Sequence, residues 1–383
     1  MRVLFIVPSP DANPGDAIIF GGISKLINTS MAVTFSECYY FEAPSAKIID
    51  QNRQVTLREF DALIVCGTPW LWDKCVGSRK YEELRYLLNR YRHTKKIALG
   101  IGACLPFHFG KDLICADATI AAALRDFWQT FDLITTRDRL ASEILNACGV
   151  TTHHTCCPSI LSTSGYGGQA PKRHTPNRGA LVFYLPQAGI SRESLPEDFV
   201  DDYVSMQLAL AAAKNLDIAC LTETEAKYLG QRLKVDASTI RILSNADDIH
   251  AFVEGRKLLV TGRVHVAIPA LMSRCDAYLL PVDSRYRTAA ELGVGILWRY
   301  GTKFPVIRIK PVPLRSLARE IRKSDILIPV GMRPLPSRPD RTEYLAKVSA
   351  LIRKVLSPSH SQYLQPSTPA YERIVQDTTG PGL

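Results

Sequence analysis

The sequence predicts an α/β protein built from two doubly wound parallel lobes. Three observations carry that prediction. Short apolar runs alternate with helix-like segments along most of the chain. Several of those runs end in glycine or in a turn rich in polar residues. And a stretch rich in Gly, Pro and basic or polar residues, 164–179, interrupts the alternation near the middle, after which the alternation begins again. A chain of 383 residues also exceeds what one ordinary core serves.

In the first half, Val3–Val7 reads as a buried strand and Ala17–Ile27 as a helix. Asn13-Pro14-Gly15 between them is turn chemistry, and Asp16 is suited to cap the helix. Ala62–Cys66 is a strand closed by Gly67, Tyr81–Tyr91 a helix, and Ile97–Leu99 a strand closed by Gly100-Ile101-Gly102. Ala116–Trp128 and Arg139–Ala147 are helical, with the strand Leu133–Thr136 between them. The second half repeats the alternation. Ala180–Leu185, Ile218–Leu221, Arg241–Leu243, Leu258–Val260 and Ala277–Leu280 read as strands, and Asp201–Ala213, Glu223–Leu233 and Ile268–Ser273 as helices.

The expected organisation is therefore a first lobe over residues 1–165, a second over 180–335, and one amphipathic helix over 341–356. That helix is expected to pack back on the first lobe. The tail 357–383, rich in Ser, Pro and Gln, is expected to be disordered.

Charge and cysteine usage narrow the function. Lys and Arg outnumber Asp and Glu by 47 to 37, a net charge of +10, which favours anionic partners. The basic residues are scattered and not gathered in runs, which argues against nucleic acid. The ten cysteines show no metal-site spacing, and several lie in apolar runs, as expected of a protein in a reducing cytosol. Residues 1–8 lack the layout of a signal peptide, and no stretch approaches the ~20 apolar residues of a spanning helix. A dehydrogenase is excluded: Leu105 stands where the third glycine of a dinucleotide loop belongs.

Candidate chemistry gathers where strands give way to helices. Gly262-Arg263-Val264-His265 combines a guanidinium fork for carboxylate or phosphate with a group that exchanges protons near neutral pH. The helix start that follows adds a partial positive charge. Taken alone, the same residues read better as a capped helix with a surface arginine and a satisfied core histidine. Arg137-Asp138 and Asp283 with Arg285 occupy similar junctions, where a cap and a solvated arginine are the plainer reading. Trp70 and Trp72 suit core packing better than a sugar platform.

The order of these motifs resembles the polysaccharide pyruvyl transferase family. Asn13 and Gly15-Asp16-Ala17-Ile18 come first, then Asp61 with Gly67, then Gly100-Ile101-Gly102. Arg137-Asp138 with Ser142 and Gly149-Val150 follow, then Gly262-Arg263-Val264-His265, then Asp283 and the helix through Gly293. The chain departs from the family's usual pattern at Cys66-Gly67-Thr68, at Cys157-Pro158, at Val264 and at Asp283-Ser284-Arg285-Tyr286-Arg287.

The resemblance implies a GT-B-like fold with a cleft between the lobes. It also implies transfer of pyruvate from phosphoenolpyruvate to a sugar of a polysaccharide or its lipid-linked precursor, as a ketal. It makes His265 and Asp16 catalytic, with His265 as the acid. Arg263, Arg137 and Gly262 would hold the donor, and Asn13, Gly15, Gly67, Gly102, Asp283 and Arg285 would line the substrate site. Arg192 is the candidate for a further second-lobe arginine. No metal or cofactor is implied. The expected location is the cytoplasm, with peripheral contact at the inner membrane face. The competing expectations are a GT-B-like glycosyltransferase that uses a nucleotide sugar, and a non-catalytic relative in polysaccharide assembly.

Overall fold

A computed structural model describes residues 1–8, 13–42, 45–105, 110–162, 179–186, 197–297 and 340–356. The interlobe stretch 164–178, Arg192 and the tail 357–383 lie outside the described residues.

Apolar runs buried on both faces build the centre of each sheet. In the first lobe β1 (Arg2–Pro8), β3 (Ala62–Cys66), β5 (Lys95–Ala103) and β6 (Leu133–Thr136) are such runs. The short β4 (Pro69–Leu71) and β7 (His153–His154) complete it together with β2 (Phe35–Phe41). All pair in parallel, in the order β2-β1-β3-β5-β6-β7, with β4 against β5.

The second sheet contains β8 (Ala180–Val182), β9 (Asp217–Cys220), β10 (Arg241–Ile242), β11 (Leu258–Thr261), β12 (Asp276–Leu279) and β13 (Gly295–Ile296). Its order is β10-β9-β8-β11-β12-β13, again parallel. The protein is thus α/β with two parallel sheets. Strand order reverses between β1 and β3 in one sheet and between β8 and β11 in the other. Such reversals open a crevice at the carboxyl ends of the strands, where ligands of doubly wound folds bind.

The helices show where local signals competed. α1 (Pro14–Ser30) begins before the Ala17 start read from sequence. Asn13, not Asp16, is its cap: the Asn13 side chain accepts from Gly15 N, and Pro14 supplies a preset φ at the first helical position. α2 (Ala46–Thr56) and β2 were not legible, because β2 is an edge strand of mixed polarity. Its outer edge is held by the Asn52 amide, which bonds both N and O of Tyr40. α3 (Arg79–Arg90) follows β4. The helix read as 116–128 is α5 (Ala118–Trp128), which Asp117 caps through Thr119 N and Ile120 N, and a short α4 (Asp112–Cys115) not read from sequence precedes it. α6 (Arg139–Ala147) closes the first lobe's alternation.

In the second lobe α7 (Glu197–Lys214), α8 (Glu223–Leu233), α9 (Ala246–Val253), α10 (Val264–Met272) and α11 (Tyr286–Glu291) connect the strands. α10 begins before the Ile268 start read from sequence. The extended backbone at Arg263 caps it, and the Arg263 carbonyl accepts from Val266 N and Ala267 N. His265 therefore sits in a helical first turn and not in a loop.

One apolar cluster joins the lobes, drawing on α1, α10, the 3-10 turn Pro158–Leu161 and the last helix, α12 (Arg341–Leu356). Gly22 is what lets that turn reach α1, since a Cβ there would run into the Pro158 carbonyl. α12 lies on α1. Tyr344, Val348 and Ile352 are buried, the Ser349 and Ser30 hydroxyls are 2.6 Å apart, and Arg353 Nε donates to Ser30 O at 3.2 Å. Polar ties also cross between the lobes. Leu105 N donates to Ser284 Oγ at 2.8 Å, and Glu291 bridges Arg139 N at 3.0 Å and His154 Nε2 at 3.1 Å.

Candidate active site

A cavity of about 280 Å³ opens between the two strand-order reversals. Of the residues read from sequence, it gathers Asn13, Gly15, Asp16, Arg137, Gly262, Arg263, His265, Asp283 and Arg285. Gly67 and Gly102 do not line it. A side chain on Gly67 would strike the backbone of β5, so its bareness serves strand packing. A side chain on Gly102 would occupy the place of the Arg137 guanidinium. Both residues act on the site from behind. Gly262 does line the cavity, and its bareness makes room for Tyr184 and Tyr203.

The first lobe contributes the N-terminus of α1 and the end of β6. Asn13 Nδ2 donates to Asp16 Oδ2 at 3.2 Å, which holds the half-buried carboxyl of the first turn toward the cavity. Burial pushes the Asp16 carboxyl above its ordinary range, opposed by Lys80, Arg137, Asn13 and Arg285.

Arg137 follows β6, and its side chain is 1% exposed. Among the described residues its ion pair is with Asp138, Oδ2 at 3.9 Å from Nε, and the buried Nε, which packs on Gly102, has no hydrogen-bond partner. Asp138 is otherwise engaged, capping α6 through Ala141 N and accepting from Ala103 N. Nη1 of Arg137 lies 3.5 Å from Nε2 of His265. A buried guanidinium at a cavity wall, without a close carboxylate, suits an anion.

The second lobe contributes arginines that already hold carboxylates. Arg263 Nη2 donates to Glu225 Oε1 at 2.6 Å, and its guanidinium stacks 4.6 Å from the Tyr184 ring centroid. Glu225 is 3% exposed and also accepts from Leu185 N and Leu221 N, so it ties the ends of β8 and β9 to the Arg-x-His segment. Arg285 grips the buried Asp283 through Nε at 2.8 Å and Nη2 at 2.6 Å, and its own N–H bonds the same carboxylate. Arg263, read from sequence as a donor-binding arginine, is thus already ion-paired inside the protein.

Burial, then Arg137 and Arg285, push the His265 pKa well below the ordinary histidine value, which favours the neutral ring. Two helix N-termini, those of α1 and α10, add to that positive surrounding.

Sequence reasoning did not find Glu225, Tyr184 or Lys80. Thr222-Glu223-Thr224-Glu225 is a capping-box pattern, and Thr222 does cap α8 through Glu225 N. The Glu225 carboxylate turns to Arg263, however, which no local pattern announces. Lys80 is buried within 4.1 Å of the Trp70 ring centroid and 4.8 Å of that of Phe41, and donates to Pro69 O at 2.7 Å. Burial lowers its pKa to about 7, opposed by Asp16. Trp70 is fully buried among Trp128, Tyr81 and Phe41, a core residue and not a sugar platform. Among the described residues no group of three His, Cys, Asp or Glu side chains could hold a metal ion.

The profile of the polysaccharide pyruvyl transferases matches residues 13–284, a span that begins at the Asn13 cap and ends beside the Asp283–Arg285 pair. The chain belongs to that family. It is accordingly a transferase of polysaccharide biosynthesis, and the family implies a sugar acceptor.

No curated protein matches the sequence. Among solved structures, S. aureus MnaA with UDP is similar over 93% of this chain and 96% of that one, at 10% identity and a TM-score of 0.51. A UDP-N-acetylglucosamine 2-epimerase from Rickettsia bellii is similar over 95% and 99%, at 13% identity and a TM-score of 0.48. At such identities the likeness concerns the fold, which is GT-B-like in this pyruvyl transferase family member. No helix among the described residues is long and apolar enough to cross a membrane.

Proposed function

We propose that this family member transfers pyruvate from phosphoenolpyruvate to a sugar of a polysaccharide or its lipid-linked precursor, forming a cyclic ketal at the cytoplasmic face of the membrane. The observation that carries the reading is Arg137, buried at the cavity wall with its carboxylate partner no closer than 3.9 Å and its Nη1 3.5 Å from His265 Nε2, in a cavity that Asp16 also lines. A donor with a phosphate and a carboxylate supplies the negative charge this place lacks. In the proposed reaction the methylene carbon gains a proton and the first sugar hydroxyl adds to the neighbouring carbon. The second hydroxyl then displaces phosphate from that carbon. One hydroxyl proton replaces the proton delivered to carbon, and the other leaves with inorganic phosphate.

His265 and Asp16 have the chemistry for these transfers. Their surroundings push both toward the neutral form, a carboxyl that holds its proton more tightly and an imidazole that holds it less tightly. Donor charge next to the imidazole reverses its shift, so the acid is made when the donor arrives. Isothermal calorimetry on the full chain tests the reading with phosphoenolpyruvate against UDP-sugars. Binding of phosphoenolpyruvate alone, displaced by inorganic phosphate, is the expected result. Binding of the UDP-sugar alone overturns the donor assignment and favours a glycosyltransferase.

A further inference from the structure

Behind the cavity wall His265 meets a second, uncharged neighbour. Cys157 is fully buried, and its Sγ lies 3.7 Å from His265 Nε2. The Ser159 hydroxyl, also fully buried, donates to that sulfur at 3.1 Å. Cys157 is the cap of the turn Pro158–Leu161 and Ser159 lies within it, and the turn packs against α1 and α10, so the core fixes where the thiol stands.

We propose that Cys157 is a positioning residue for His265: its S–H bonds Nε2 and holds the ring as the tautomer with its hydrogen on Nδ1. The argument is an inventory of donors. Arginine has no acceptor, so Arg137 Nη1 at 3.5 Å presents a hydrogen to Nε2. The Cys157 sulfur receives the Ser159 hydrogen, which leaves its own S–H for the remaining neighbour, again Nε2. A nitrogen faced by two donors carries no hydrogen itself. The ring hydrogen therefore lies on Nδ1, the nitrogen nearest Gly15, at the start of α1.

A thiol suits this position because it is uncharged and works in both directions. When Nε2 gains a proton, rotation about the Cβ–Sγ bond turns the sulfur from donor to acceptor. A carboxylate in its place would hold the imidazolium permanently. With Cys157 neutral, the charge of His265 is governed by its burial, by Arg137 after β6, by Arg285 before α11, and by whatever anion binds beside them. Burial pushes the Cys157 thiol up, which keeps it protonated.

The catalytic consequence rests on the role proposed for His265, but the tautomer does not. Nitrogen-15 spectra of the full chain with labelled histidine, without any donor, decide it, and loss of the signal in His265→Asn assigns the ring. The expected result is an unprotonated nitrogen at Nε2. In Cys157→Ala that preference weakens and turnover falls roughly tenfold, about one net hydrogen bond of orientation, while inorganic phosphate binding stays as in the wild type and the melting temperature falls modestly, because the Ser159 hydroxyl loses its acceptor. Cys157→Ser restores part of the loss. In Cys157→Asp the His265 titration midpoint rises by roughly one to three pH units.

A hydrogen on Nε2 in the wild-type spectrum overturns the proposal, whatever the variants do. Unchanged His265 shifts in Cys157→Ala overturn it as well, even where Cys157→Asp does not fold. If phosphoenolpyruvate fails to bind while Nε2 is bare, the donor assignment falls and the positioning role stands.

Discussion

The two walls of the cleft differ in how their arginines are partnered. On the second-lobe wall each arginine has its own buried carboxylate, Arg263 with Glu225 and Arg285 with Asp283. On the first-lobe wall Arg137 is the more buried, yet among the described residues its ion-pair carboxylate, Asp138, stands off at 3.9 Å. Burying a cation without a close partner is costly, and folding does not require it. The paired wall therefore reads as scaffold, holding the ends of β8, β9 and β12 in register. The unpaired wall reads as the place reserved for an external anion.

The sharpest way to break this comparison is to remove the group that both walls face. His265→Asn is expected to fold and to bind inorganic phosphate, while turnover falls by about 10²–10⁴-fold. A parallel loss of melting temperature and binding would make His265 a packing residue. Next comes the scaffold wall. Arg263→Ala leaves Glu225 buried without its cation, and denaturant unfolding is expected to show a loss of about 3 kcal/mol. An unchanged unfolding midpoint, with donor affinity lost, would move Arg263 to the binding side.

On the unpaired wall, Arg137→Gln is expected to lower phosphoenolpyruvate affinity by roughly 10–100-fold with a small change in stability, read by calorimetry and melting on the same sample. Donor binding should also depend on pH in a set direction. The free His265 pKa is lowered and a bound anion raises it, so binding takes up a proton. Affinity is then greatest at low pH and falls as pH rises through the bound-state pKa. Calorimetry in buffers of different ionisation enthalpy measures that uptake, and a buffer-independent heat would refute it. The smallest effect is expected far from the cleft. Ser349→Ala removes one hydroxyl contact between α12 and α1 and should cost about 1 kcal/mol in thermal unfolding without altering turnover.

Much of the architecture was legible from short-range pattern. The apolar runs at Val3–Val7, Ala62–Cys66 and Leu133–Thr136 are central strands, buried on both faces, and periodicity reports such burial directly. The edge strand β2 and its following helix were not legible, because an edge strand with one wet side has no distinctive apolar run. Most of the candidate site could also be located in sequence, because residues after a strand and before a helix share one end of a parallel sheet wherever they fall along the chain. Asn13, Asp16, Arg137, Arg263, His265 and Asp283 meet in one cavity for that reason.

What the residues do to one another was decided by tertiary structure alone. Arg263 and Glu225 are 38 positions apart, and Arg137 and His265 are 128 apart. Local pattern carries which face of an element is apolar. It carries neither which buried charge lies across a cleft nor how much water has been removed. Whether Arg263 is free or paired, whether Gly102 touches substrate or makes room for Arg137, and whether His265 is charged all depend on burial set by non-local packing. Desolvation and charges a few ångströms away outweigh any preference of the residue itself.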